Sequence, residues 1–173
     1  MNPLPYSVFD AIQHLSAADE TMAALIHSIG PYEGGLRPAD SPFEALCEAV
    51  AYQQLSGKAA ATIYGRFRSL TDESRPLDPL LVSKLSEEQL RGCGLSRAKS
   101  AAIQDLSAKT LEGVVPGHVS LAPLSDQDII DRLISVRGIG PWSVKMYLMF
   151  RLGRPDVLPQ TDLGIRKGVM RTY

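Results

Sequence analysis

The residues with the most chemical content lie toward the C-terminal end of the chain. Arg137-Gly138-Ile139-Gly140-Pro141-Trp142-Ser143 sits between two stretches with helical spacing. Proline at the first helical position restarts a helix readily. Two glycines before it leave the backbone free to take positive φ and to be approached closely by a partner. The restarted helix begins with unpaired N–H groups, an anion site by geometry and dipole, where a nucleic-acid phosphate fits without any base being read. The same residues also suit a plain corner between two helices. Further on, Asp162 follows Pro159-Gln160-Thr161 and opens a helix predicted to run to Tyr173. A helix N-terminus favours the ionised carboxylate. Taken alone, it is a charge at a helix end.

The elements that must hold these residues are helices. Apolar residues recur at i, i+3, i+4 nearly throughout, with short Gly/Pro/Ser breaks and almost no alternation of period two, so the spacing predicts an all-α protein. Starts are predicted at Ser16, Ser41-Pro42, Ser56 and Ser96, and capping-box spacing occurs at Ser86 to Gln89 and Ser125 to Asp128. Gly30, Gly92, Gly94 and Gly113 read as stops. On the predicted helix 43–55, Phe43, Leu46, Cys47, Val50, Ala51 and Leu55 share one face, which makes it a core helix. It ends in Tyr52-Gln53-Gln54-Leu55-Ser56, where amide side chains mark the handover to the next helix. A capped helix 126–135 leads into the Gly-Ile-Gly corner, and the helix restarted at Pro141 is predicted to reach about Leu152. The one candidate boundary between lobes is the irregular Gly113 to Pro123, which equally suits a plain interhelical loop.

Composition bounds the rest. The 173 residues, 45% hydrophobic and 21% charged, suit a globular chain with a proper core and exclude a disordered or collagen-like one. No apolar run approaches the roughly 20 residues that cross a bilayer. Cys47 and Cys93 stand outside any C-x-x-C, too few for a cysteine-built zinc or iron–sulfur site. The formal net charge of −1 hides an asymmetry: residues 1–90 carry 6 basic against 12 acidic side chains, and residues 91–173 carry 12 against 7. Within residues 132–171 eight basic residues face only Asp156 and Asp162, a local +6 that would attract a polyanion.

Together, Arg137 to Ser143, the amphipathic stretch after it and Asp156-Val-Leu-Pro-Gln-Thr-Asp-Leu-Gly-Ile-Arg-Lys-Gly168 resemble the helix-hairpin-helix DNA glycosylases. The resemblance is closest to their 3-methyladenine DNA glycosylase II (AlkA-like) branch. It extends over about residues 40–173, where Ala49-Val-Ala-Tyr-Gln-Gln-Leu-Ser56 and Gly94-Leu-Ser-Arg-Ala-Lys99 also fit. It implies one all-α glycosylase domain over residues 1–173, built as two helical lobes with the active-site cleft between them, and a helix-hairpin-helix motif at 134–152. The implied activity is hydrolysis of the N-glycosidic bond of alkylated purines, 3-methyladenine and 7-methylguanine, in duplex DNA to leave an abasic site.

By the same resemblance Asp162 is the catalytic carboxylate, which stabilises positive charge on the sugar and orients water. Related enzymes that also nick the backbone carry a lysine where this chain has Trp142, so a monofunctional enzyme is implied. Trp142, Tyr52 and Met146 would line the base pocket, with Trp142 stacked on an electron-poor base; Trp142 equally suits packing between helices. Gln53, Gln54 and Leu55 would fill the hole left by the extruded base, with Gln54 or Leu55 inserted. Arg137, Gly138, Ile139, Gly140 and Ser143 would hold phosphate through backbone N–H groups, and Lys145, Arg166 and Lys167 would add unspecific attraction. The main-chain carbonyls of Ile134, Val136 and Ile139 would hold a monovalent cation, with no other cofactor.

The implied partner is duplex DNA bearing alkylated bases, bound by a monomer with no membrane association. The N-terminal residues lack the basic start and apolar run of a signal peptide, so the expected location is the cytoplasm, with a bacterial nucleoid, or the nucleus. Enzymes of this type continue beyond the catalytic helix, so a truncated form is an expectation too. It keeps a second reading open, a non-catalytic helix-hairpin-helix module that recognises damaged DNA. A lyase acting on oxidised bases is the third reading, and Trp142 argues against it.

Overall fold

Hydroxyl and carboxylate caps set the helix starts. Ser41, Ser86, Ser96 and Ser125 each accept a hydrogen bond from the backbone amide three residues on, and Ser86 with Gln89 forms a reciprocal capping box. The computed structural model describes residues 4–37, 39 and 41–173. Its helices are α1 (Val8–Ala18), α2 (Glu20–Ile29), α3 (Pro42–Tyr52), α4 (Gly57–Arg68), α5 (Pro79–Ser83), α6 (Glu87–Gly92), α7 (Arg97–Leu111), α8 (His118–Leu121), α9 (Asp126–Leu133), α10 (Pro141–Tyr147) and α11 (Leu163–Thr172). There is no strand among the described residues, as the spacing predicts.

The chain divides into two compact units, one of Met1–Pro38 with Leu148–Tyr173 and one of Ala39–Tyr147. The expected boundary at Gly113 to Pro123 is therefore wrong. That stretch contains α8 and buries Val115 and Leu121 in the core of the second unit, so it is not a linker.

In the second unit α3 and α7 pack on each other, and α4, α5, α6, α9 and α10 close around them. Phe43, Leu46, Cys47, Val50 and Ala51 of α3 are buried as expected, together with Ala102, Ile103 and Leu106 of α7. Leu55 is not: α3 ends at Tyr52, and Leu55 lies beyond it, 41% exposed. Both cysteines are free and buried. Helix α7 also holds backbone outside itself. Gln104 donates to the carbonyl of Leu85 at 2.6 Å, and Asp105 Oδ2 accepts the amide of Arg137 at 2.7 Å and the Lys109 ammonium at 3.0 Å.

In the first unit α1 and α2 pack together. Ser16 is not a cap, because Ser7 starts α1, and extended Asp19 breaks the run and caps α2 through Met22 N–H. The helix predicted from Pro141 to Leu152 changes character at Leu148, where a π-helical turn (Leu148–Leu152) takes over. Gly153 ends the turn at φ +67, and a Cβ there would come within 2.6 Å of Pro5, so this position requires glycine. Arg37 N–H donates to the carbonyl of Phe150 at 2.9 Å while its guanidinium lies over the Phe150 ring. Tyr173 Oη donates to Asp19 at 2.7 Å, tying the end of α11 to the start of α2.

Two outcomes are expected. Leu106→Ala empties a fully buried site, so it should cost about 2–5 kcal/mol and lower the urea midpoint with an unchanged slope; an unchanged midpoint would contradict the packing. Partial burial pushes the Asp105 carboxyl up, but the Arg137 amide and the Lys109 ammonium outweigh it and hold the group below its ordinary 3.8. A depressed acid stabilises the fold above its unfolded pKa and ceases to as pH falls through its folded one. The Tm gap between wild type and Asp105→Asn should thus be constant above about pH 5 and close below about pH 4. A gap that does not narrow as pH falls below about 4 would refute this.

Candidate functional site

The hairpin is fastened from inside. Leu133 O accepts Val136 N–H and Val136 O accepts Ile139 N–H, each at 3.1 Å, and the side chains of Val136 and Ile139 are buried. Gly138 takes φ +76, and a Cβ there would stand 3.1 Å from Ala102 Cβ. Gly140 differs from expectation: it does not take positive φ, and a Cβ on it would meet nothing within 4 Å. Its contribution is bare backbone at the start of α10, where Gly140 O accepts Val144 N–H at 3.2 Å. The ammonium of Lys109 caps the carbonyl of Ser135 from α7.

These bonds revise the expected phosphate contacts. The amides of Arg137 and Ile139 are committed within the protein, to Asp105 and to Val136, so neither is the outward donor that the sequence suggests. The side chain of Ser143 is buried, so only its amide, at the start of α10, bears on the expected contact. The exposed residues of the hairpin are Ser135, Arg137 and Gly138, with Ile134 41% exposed before them.

Next to the hairpin is the corner after α3. Lys99 Nζ donates to the carbonyls of Ala51 at 2.9 Å and Gln53 at 2.7 Å, placing a cation on the C-terminal carbonyls of α3. Partial burial holds that ammonium below the ordinary lysine value. Gln53 Nε2 donates to the carbonyl of Gly138 at 2.9 Å, which joins corner to hairpin. The side-chain amide of Gln53 is therefore engaged within the protein. Gln54 takes φ +57, the one left-handed non-glycine among the described residues, and is exposed with Leu55. Such strain gathers where a side chain must project.

The aromatic residues expected around a base are also in this unit. Trp142 is 44% exposed on the first turn of α10, and Met146 is half-buried one turn on. Tyr52, half-buried at the end of α3, meets the Tyr64 ring edge-on with centroids 6.4 Å apart. Lys145 is half-buried.

Asp162, Arg166 and Lys167 belong to the first unit. Asp162 is the N-cap of α11: its Oδ1 accepts Ile165 N–H at 2.9 Å and its carbonyl accepts Arg166 N–H at 3.0 Å. Pro159 O accepts Asp162 N–H at 2.8 Å, so the Pro159-Gln160-Thr161 turn delivers the carboxylate to the helix start. A Cβ on Gly164 would stand 3.0 Å from Asp162 Oδ1, so glycine there gives the carboxylate room. No residue of α11 is buried, and Arg166 and Lys167 are exposed.

Sequence reasoning missed Lys99, Asp105 and Lys109 as parts of this site. Lys99 closes the Gly94 to Lys99 stretch that carries part of the resemblance, and with Ala102 the three fall on one stripe of α7. Among the described residues, no cluster of three His, Cys, Asp or Glu side chains could hold a metal ion, and no helix is long and apolar enough to cross a membrane.

Comparison with known proteins fits this geometry. Residues 47–173 match the model of the HhH-GPD superfamily of base excision DNA repair proteins. DNA-3-methyladenine glycosylase 1 of Schizosaccharomyces pombe is 38% identical over 160 residues, spanning 90% of this chain and 68% of that protein. The structure of the S. pombe 3-methyladenine DNA glycosylase in complex with abasic DNA superposes with a TM-score of 0.84 at 35% identity, covering 94% of this chain and 80% of that one. A DNA-3-methyladenine glycosidase from Bacillus halodurans gives a TM-score of 0.81 at 32% identity, covering 92% and 71%. With its hairpin, its corner and its capping aspartate in the matched region, this chain belongs to the HhH-GPD superfamily of base excision DNA repair proteins.

Proposed function

We propose that this chain is a monofunctional DNA glycosylase that hydrolyses the N-glycosidic bond of alkylated purines in duplex DNA, with Asp162 as its catalytic carboxylate. The observation that carries the reading is the seating of Asp162. One oxygen is fixed by the Ile165 amide, and Gly164 keeps the space beside it clear. A carboxylate held this way costs little reorganisation when charge develops near it. Relatives named as 3-methyladenine glycosylases support the substrate class.

The chemistry follows from charge. As the bond between base and sugar breaks, its electron pair leaves with the base and positive charge grows at C1′. A carboxylate beside C1′ stabilises that charge and accepts the proton of the water that adds there. An N-alkylated purine is cationic before the bond breaks, and the departing pair neutralises it. One carboxylate then suffices, because the leaving group needs no general acid. The exposed indole of Trp142 suits such a base through stacking and cation–π attraction, and it offers no amine for a Schiff base.

DNA is held by the backbone of Gly138 and Gly140 and by the exposed cations Arg137, Arg166 and Lys167, while Gln54 or Leu55 enters the space the base vacates. The carbonyls of Ile134, Val136 and Ile139 are neutral oxygen donors suited to a hard monovalent cation, and a carbonyl such as that of Val136 accepts an N–H with one lone pair and keeps another. Those three residues would hold the ion, which supplies positive charge beside a phosphate. The protein would work wherever chromosomal DNA is kept.

Asparagine caps helices about as well as aspartate. Asp162→Asn should therefore keep Tm and affinity for duplex DNA while losing release of 3-methyladenine from methylated DNA; retained release in this variant would refute the assignment. Asp162→Ala should lose release and also about 1 kcal/mol of stability with the cap. Borohydride added during turnover should trap no covalent protein–DNA adduct, and an adduct would mean lyase chemistry instead.

A further inference from the structure

The corner at 53–55 and the hairpin at 137–140 are separated by 85 residues at their one mutual hydrogen bond, Gln53 to Gly138, yet both are fastened to α7. Lys99 takes the carbonyls of Ala51 and Gln53, Ala102 lies 3.1 Å from where a Gly138 Cβ would stand, Asp105 takes the Arg137 amide, and Lys109 caps Ser135. Positions 99, 102, 105 and 109 run along one stripe of the helix, about 15 Å long at 1.5 Å per residue. The contacts close a circuit: from α7 through Lys99 to Gln53, across to Gly138, back through Arg137 to Asp105 on α7.

We propose that Lys99 and Asp105 are positioning residues, which hold the side chains that enter duplex DNA and the backbone that grips its phosphates at one fixed separation. This rests on the reading of both loops as DNA-facing. Neither residue touches DNA, since both polar groups are spent on backbone of the protein. The two jobs are coupled by geometry. Insertion requires that the duplex be gripped at a set distance from the inserting side chain, and a displacement of about 1 Å between such elements is costly. Rigid mutual placement before DNA arrives removes an ordering cost at binding. Unspecific grip on phosphates needs no such register, because it follows from charge.

The test compares affinities of the full chain for two duplexes of one sequence, one with a central tetrahydrofuran abasic analogue and one intact. For Lys99→Met and for Asp105→Asn, affinity for the abasic duplex should fall about tenfold while affinity for the intact duplex stays within about twofold. Lys99→Arg and Asp105→Glu should recover much of the loss. Since the contacts form one circuit, the double variant should lose no more than the worse single one. Equal losses on both duplexes, or no loss on the abasic one, would overturn the proposal. If either variant fails to fold, the other decides alone. Wild-type protein that does not prefer the abasic duplex would instead overturn the DNA reading on which the proposal stands.

Discussion

The hydrogen bond from the Arg137 amide to the Asp105 carboxylate, 2.7 Å long, is the constraint on which the rest of the site depends. A tight corner between two helices exposes backbone groups with no partners of their own. Here the corner's inner groups are taken by α7, and its apolar side chains Val136 and Ile139 enter the core. What remains exposed on the hairpin is Gly138, which carries no side chain, together with the side chains of Ile134, Ser135 and Arg137. In the proposed reading this surface grips phosphate by shape and charge and makes no demand on sequence, as an enzyme that searches for rare damage requires.

The catalytic side follows a similar logic with different parts. Asp162 serves α11 as a cap and, in the proposed reaction, serves the sugar as a counter-charge. The two roles are compatible because the bond from Ile165 N–H fixes the plane of the carboxylate without neutralising its charge. They also explain why a single carboxylate can be enough: substrates that carry their own positive charge depart readily once the sugar cation is stabilised. In the proposed reaction the indole on the first turn of α10 offers no amine for a Schiff base and adds a face for a cationic base.

The helices and the hairpin were largely legible in the sequence, because their signals are local. Ser41, Ser86, Ser96 and Ser125 announce their helices within four residues, and Gly138-Ile139-Gly140-Pro141 announces the corner. Reading failed where two local signals competed or where partners are distant. Ser16 has a cap's chemistry, but Ser7 and Asp19 start the helices on either side of it. Gly113 to Pro123 has a linker's composition, yet Val115 and Leu121 bury it. The engagement of Gln53 with Gly138, and of Arg137 with Asp105, spans 85 and 32 residues, a range at which neither periodicity nor capping leaves a trace. The sequence thus marks Gln53, Arg137 and Ile139 without showing that the Gln53 side-chain amide and the backbone amides of Arg137 and Ile139 are bonded within the protein.

The account stands or falls on what the protein does to methylated duplex DNA. Incubating the wild-type chain with such DNA and separating free bases from the polymer tests it directly, with half of the DNA heated in alkali afterwards. The predicted result is free 3-methyladenine, with strand breaks that appear only in the alkali-treated half. DNA that is bound yet releases no base would contradict it and mark the chain as a damage-binding module.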